Sequence, residues 1–294
     1  EQNGETIQQF TNALQKGMNY VNQSSPADIA KTISPQFPET DIETLTTIVS
    51  RYYDQKTWKE DLVFEEESFT LLQNILEEVL SKLCGEAVVT AGSGRTDAGV
   101  HAWGQVVTLE TNGTIPCANI IRASKKMLPA DIVIVSVEEV ESGFHARYSA
   151  KWKRYQYRIV ENEFDSPFEV KYAWQMRETL DVNAMNQASS YLLGTHDFSA
   201  FRSSGSVETS PIRTMYEARW ERRGNELLFT IGGDGFLYHM VRNLVWSLVQ
   251  VGLGKRSPED FEAELTAKRC EFLNEPAPAQ GLYLKEVFYT DFEA

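Results

Sequence analysis

The stretch Ala91 to Val107, AGSGRTDAGVHAWGQVV, crowds glycines, an Arg, an Asp and a His into one bend before running into a strand. Gly92, Gly94 and Gly99 allow a tight backbone, and an Asp in such a bend is commonly a turn residue whose carboxylate bonds nearby N–H groups. A phosphate loop fits less well, because Gly92-x-Gly94 leads into another strand and not into a helix N-terminus. Chemistry is favoured by the charged tripeptide Arg95-Thr96-Asp97, held between two strands in a loop that aims its carboxylate out of a rigid scaffold. On these residues alone, Asp97 stands between turn former and catalytic carboxylate.

Working outward, EAVVTA, GQVVTLE, DIVIVSVEEV, KRYQYRIV and ELLFTI are β-branched or aromatic runs bounded by turn residues, and each predicts a strand. Helices interleave with them. DVNAMNQASSYLLG has Asp181 as cap and Gly194 as stop, HMVRNLVWSLVQVGLG carries Val241, Leu244, Val245 and Leu248, and SPEDFEAEL opens with a Ser-Pro start. Upstream of Gly85 the texture is helical. Ile7, Phe10, Leu14 and Met18 share one helical spacing, Ser25 caps a helix opening at Pro26, and Ile42, Leu45, Ile48 and Val49 form a second stripe. Leu72, Ile75, Leu76, Val79, Leu80 and Leu83 form a third, ending at Gly85. The pattern predicts an α+β fold with a mostly antiparallel sheet flanked by helices. A helical N-terminal segment, residues 1–71, precedes a domain over 72–294 with two lobes parting near 150–180.

The chain has 294 residues and a net charge of −14, which argues against a polyanionic partner bound through Lys and Arg. The acidity is uneven: residues 1–85 hold 6 Lys and Arg against 14 Asp and Glu, leaving room for basic clusters behind them. Cys84, Cys117 and Cys270 have no metal-ligand spacing and point to free thiols in a reducing compartment. No stretch has membrane-spanning length and no signal peptide is evident, so a cytoplasmic protein is expected.

His101, His145, His196 and His239 lie in glycine- or aromatic-flanked segments without ligand spacing, so a metal site is not expected and each reads as a packing or hydrogen-bonding histidine. Alternation along Lys153–Val160 puts Tyr155, Tyr157 and Ile159 on one face and Arg154, Gln156 and Arg158 on the other. That is an ordinary half-buried strand, or a base-stacking platform with cations beside it, extended by Lys125, Lys126, Arg147, Lys151, Arg202 and Arg213. Arg242 sits inside an apolar helix, where it either snorkels to solvent or pairs with a carboxylate.

GSGRTDAGVHAWGQVV closely resembles the signature of the bacterial tRNA pseudouridine synthase A family. The likeness continues in family order through LPADIVIVSVEEV, FHARYSAKWKRYQYRI, LLGTHDFSAFRSSG, FLYHMVRNLV and APAQGLYL, over roughly residues 72–294. The resemblance implies the pseudouridine synthase fold and a homodimeric isomerase without cofactor or metal, turning uridine into pseudouridine in the anticodon stem–loop of tRNA, at tRNA positions 38 to 40. Asp97 falls on the family's catalytic aspartate and Arg242 on the arginine that pairs with it. Tyr155 falls on the tyrosine that packs against the target base and is a candidate for removing the C5 proton. The implied substrate-binding set also includes Arg95, Thr96 and His101. His196, Asp197, Phe198 and Arg202 match a motif near the RNA cleft, and Leu282 and Leu284 of GLYL lie near the base pocket.

The front of the chain departs from that family. The family's first strand and loop are missing, and residues 1–71 instead resemble the C-terminal helical part of a periplasmic substrate-binding protein of the nitrate, taurine or thiamine-precursor type. A mis-joined frame or a natural replacement of the N-terminus would produce such a meeting of two pieces. Losing a strand leaves backbone groups unpaired, so reduced stability and impaired activity are expected unless the new helices cover the edge. Two other functions are therefore weighed: a catalytically silent RNA-binding module, and a small-molecule-binding fragment in residues 1–71.

Overall fold

The structure, a computed structural model, describes residues 16, 17, 19–38, 40–54, 68–203, 210–268 and 276–293. Ile7, Phe10, Leu14 and Met18 of the first expected helix lie outside these residues, as does Cys270. Two compact units divide at Glu65/Glu66. In the first, α1 (Pro26–Ile33) is capped by the Ser25 hydroxyl and α2 (Ile42–Asp54) follows. Ile29 and Ala30 of the one pack with Leu45 and Val49 of the other.

The second unit opens with α3 (Ser68–Cys84), which runs unbroken through the expected boundary at 71/72 and stops at Gly85, whose φ of 74° suits glycine. Next come β1 (Thr90–Gly92), β2 (His101–Ala102), β3 (Val107–Leu109) and α4 (Cys117–Met127). The long strand β4 (Trp152–Glu161) leads to β5 (Trp174–Met176), α5 (Val182–Ser190) and β6 (Gly194–Asp197). A hairpin of β7 (Ile212–Arg223) and β8 (Glu226–Gly233), then α6 (Met240–Gly252), α7 (Pro258–Ala267) and β9 (Leu282–Phe288), completes the order. Asp181 caps α5, and Ser257 with Asp260 forms a reciprocal capping box on α7. Helix α5 ends at Ser190, however, and Gly194 opens β6 instead of stopping the helix.

Seven strands form one sheet in the order β2-β9-β4-β8-β7-β6, with β5 alongside β4; only β2/β9 and β4/β5 are parallel. This is the α+β architecture with a mostly antiparallel sheet that the sequence predicts. Its core is the face where Tyr157, Ile159, Phe229 and Ile231 meet Val241, Leu244, Val245 and Leu248 of α6. A second cluster, around Leu76, Leu80, Val88 and Ile120, lies under the two-stranded sheet β1/β3.

That small sheet has only two strands among the described residues. Asp131–Val140, expected as a strand, pairs with none among the described residues, and β3 pairs with β1 alone. Ile132, Ile134 and Val137 still pack into the second cluster, while Val133, Val135 and Val140 are 64%, 79% and 55% exposed. Alternation supplies a strand's faces, but a strand needs a neighbour to receive its N–H and C=O groups. The other edge is covered by α3: Glu77 Oε1 accepts from the Thr90 N–H at 2.7 Å, and Gln73 Nε2 donates to the Thr90 carbonyl at 2.8 Å. Burial raises the Glu77 carboxyl, and hydrogen bonds from the Thr90 N–H, the Gln73 amide and the Thr90 hydroxyl outweigh it to leave the group below its ordinary value.

Candidate active site

The bend after β1 is fixed from below. Ser93 N–H donates to the Val106 carbonyl (2.8 Å), the Ser93 hydroxyl donates to Gln105 Oε1 (2.6 Å), and Gln105 returns its amide to the Gly94 carbonyl (2.9 Å). Lys153 of β4 adds an ammonium on the Ser93 carbonyl at 2.7 Å. The turn itself closes where Val100 N–H donates to the Asp97 carbonyl at 3.1 Å, with Gly99 at φ 81°. Asp97 is therefore a turn residue through its backbone, and its side chain remains available.

That side chain meets the first turn of α6. Arg242 Nη1 donates to Asp97 Oδ2 at 2.9 Å, Arg242 Nε donates to the Ala277 carbonyl at 2.6 Å, and the Ala277 N–H donates to the Arg242 carbonyl at 3.2 Å. Of the two readings of Arg242, the structure takes the carboxylate pair: its side chain is 14% exposed and that of Asp97 27%. His239 Nε2 lies 3.2 Å from the same Oδ2. Among the described residues, Asp97 Oδ1 engages no hydrogen bond or ion pair. Burial pushes the Asp97 carboxyl up, and His239 and Arg242, by hydrogen bond and charge, bring it below its ordinary value, so the carboxylate is ionised at neutral pH.

Tyr155 stands beside this group on β4, between Ile231 of β8 and Leu284 of β9, with its ring edge-on to Phe236 at 5.0 Å. Burial, and then the charge of Asp97, push its phenol up to about 12, so the hydroxyl keeps its proton at neutral pH. Tyr157 is core, its hydroxyl donating to the Pro278 carbonyl at 2.7 Å. Gly281 packs directly on that ring; a Cβ there would lie 2.5 Å from Tyr157 Cζ and 2.9 Å from the Arg158 carbonyl oxygen. Gly281→Ala should therefore cost about 1–3 kcal/mol, read as a lowered melting temperature. A variant melting with the parent would show that the ring yields freely.

The other expected site residues are dispersed. His101 stacks on Tyr283 at 4.7 Å and faces the Lys171 carbonyl at 2.9 Å, a packing role on the β2/β9 edge. Arg95 is exposed and Thr96 half-buried in the Asp97 loop. His196 Nε2 faces the Leu193 carbonyl at 2.8 Å. Asp197 accepts from the Ser199 hydroxyl and N–H and pairs with Lys268 at 3.0 Å, which brings its carboxyl to about 2. Phe198 is fully buried in the core. Arg202 is exposed, and Leu282 and Leu284 are buried on β9 opposite Tyr157 and Tyr155.

The stacking platform also needs correction. Arg154 is bonded to Glu217 and Glu286, and Arg158 to Glu226 and Glu169, on the sheet face opposite Tyr155. Those two cations already have carboxylates, whereas Lys153, two residues from Tyr155 on its own face, reaches the Asp97 loop. Cys84 and Cys117 are free thiols. No group of three His, Cys, Asp or Glu among the described residues is placed to hold a metal, and no helix among them is long and apolar enough to cross a membrane.

His239 is the residue the sequence reading missed, having been grouped with three histidines that do pack or bond away from Asp97. The available signal was its spacing: His239 and Arg242 are three apart in FLYHMVRN, which puts both on one side of a helix start.

The site thus brings together an ionised carboxylate, the His239 and Arg242 groups that hold it, and a half-buried aromatic. The family model described as tRNA pseudouridine synthase matches residues 61–149 and 188–290. The chain is 44% identical over 218 residues to tRNA pseudouridine synthase A of Thermoanaerobacter sp. (strain X514), covering 74% of this chain and 89% of that protein. It is 43% identical over 221 residues to the protein of that name from Lacticaseibacillus casei (strain BL23), covering 74% and 90%. The chain belongs to the tRNA pseudouridine synthase family, whose members are isomerases. The likeness of residues 1–71 to a periplasmic substrate-binding protein finds no support in these comparisons.

Proposed function

We propose that this chain converts uridine to pseudouridine in the anticodon stem–loop of tRNA, at tRNA positions 38 to 40, with Asp97 as the catalytic carboxylate. The observation that carries the reading is the 2.9 Å contact of Arg242 with Asp97 Oδ2, which together with His239 holds an ionised carboxylate beside Tyr155. The protein acts as a cytoplasmic homodimer without a cofactor, and residues 72–294 form its catalytic domain. Pairing two subunits pools separate basic surfaces into a cleft while the outer faces stay acidic, which reconciles the net charge of −14 with an RNA substrate.

The target uridine leaves the helical stack, because its reacting bonds are otherwise out of reach, and packs on the Tyr155 ring. Asp97 supports the electron-poor sugar carbon C1′ while the N1–C1′ bond breaks. The base turns, C5 bonds to C1′, N1 gains a proton and C5 loses one. With its phenol near 12, Tyr155 carries no standing negative charge at neutral pH, so it takes the C5 proton only as its own hydroxyl proton passes to water. Tyr155→Phe should retain tRNA affinity within a few-fold and lose on the order of 100-fold in turnover. Full turnover in that variant would reduce Tyr155 to a platform.

The deciding experiment is mapping of pseudouridine in an unmodified tRNA transcript incubated with the chain. Product at tRNA positions 38 to 40 supports the reading, and product confined to other positions overturns the site assignment. The unpaired Asp131–Val140 segment favours a second reading, an RNA-binding module without turnover. Salt-sensitive tRNA binding without product would identify it.

A further inference from the structure

His239 is one of two non-glycine residues with positive φ among those described, at 59°, and it is the N-cap of α6 without capping the helix by its side chain. A left-handed backbone at a branched-ring residue is strained, and such strain persists where the surrounding structure fixes the side chain for a purpose. The imidazole is held on both nitrogens. Nε2 lies 3.2 Å from Asp97 Oδ2, Nδ1 lies 3.2 Å from the Ser203 hydroxyl, and the Tyr238 ring stacks at 3.9 Å.

One hydrogen-bond direction follows from the far end. Asn243, 2% exposed in α6, places its side-chain nitrogen 2.9 Å from the Phe201 carbonyl, which only accepts, so that atom is the amide nitrogen. The same nitrogen donates to Ser203 Oγ at 3.2 Å. Ser203 Oγ still has a second lone pair and its own proton, so it holds His239 Nδ1 as acceptor or as donor. The Asp97 carboxylate only accepts, so an imidazole proton stands on Nε2, facing Oδ2.

We infer that His239 is a positioning residue which, with Arg242, holds Asp97 through Oδ2 and so makes Oδ1 the reacting oxygen. Asn243 and Ser203 anchor the Nδ1 side of the ring and so keep Nε2 aimed at Asp97. Two donors from different bonds of α6 fix the carboxylate plane, which one guanidinium contact alone leaves free to turn. This inference rests on Asp97 being the catalytic carboxylate.

Two variants suit the left-handed backbone, His239→Asn and His239→Gly, and neither spans the gap from Ser203 to Asp97. Single-turnover kinetics on unmodified tRNA with the full-length chain, together with melting curves, decide the matter. For His239→Asn the expected result is a fall of about tenfold in kcat, KM within about twofold, and an unchanged melting temperature. Added imidazole should restore part of the loss in His239→Gly. A kcat for His239→Asn within twofold of the parent, or a loss carried by KM or by melting, overturns the inference. Absence of product from the parent chain overturns the functional reading, and this inference falls with it.

Discussion

Asp97→Asn should leave tRNA bound but unmodified, with turnover reduced by about 10⁴-fold or more. The amide has the size and shape of the carboxylate, so the turn closed by the Val100 N–H and Gly99 is retained. What disappears is the negative charge opposite C1′. Affinity should stay within a few-fold of the parent, because phosphate contacts come from elsewhere on the surface. The assay is pseudouridine formed per bound tRNA, and product from Asp97→Asn above about a hundredth of the parent rate would remove Asp97 from the chemistry.

Arg242→Lys should be nearly as damaging, by another route. The guanidinium spans two acceptors at once, Nε on the Ala277 carbonyl and Nη1 on Asp97, and an ammonium on a flexible stem does not reproduce that fork. Turnover should fall by about 10²–10³-fold, with stability lowered by about 1–3 kcal/mol for a pair this incompletely exposed. The pH dependence gives the sharper readout. In the parent, the folded Asp97 carboxyl lies below its unfolded value of 3.8. Its contribution to stability is therefore complete above that value and lost as pH falls through the folded one. Losing the guanidinium hydrogen bond weakens the lesser of the two partners that oppose burial, after His239, so the acid limb of the activity profile should move modestly to higher pH. An unmoved limb would mean that Arg242 does not control the ionisation of Asp97.

Much of the large sheet was legible because its strands are stated by local chemistry. Lys153–Val160 alternates cleanly, and Ser25, Asp181 and Ser257 each mark a helix start that the structure keeps. Strand β7 was overlooked because Ile212–Arg223 is rich in charge, and its place between β6 and β8 comes from pairing, not from pattern. Asp131–Val140 failed in the opposite sense, having the pattern without the partner. At the site, glycines around Asp97 gave its loop away, whereas the fate of Arg242 and the link to His239 depended on contacts between distant segments. That Phe198 turns inward was not legible, because a motif fixes neighbours along the chain and does not say which side chain is buried.

The distance along the chain between Asp97 and Arg242, 145 residues, has a bearing on the protein's biogenesis. Asp97 leaves the ribosome long before its counter-ion has been made. Through that interval it is an ordinary hydrated carboxylate in a glycine loop, and the aromatic beside it has no sheet to stand on. On the proposed role of Asp97, a nascent or truncated chain carrying the complete GRTDAGVH signature would be inert until α6, the Ala277 carbonyl and β9 are all in place.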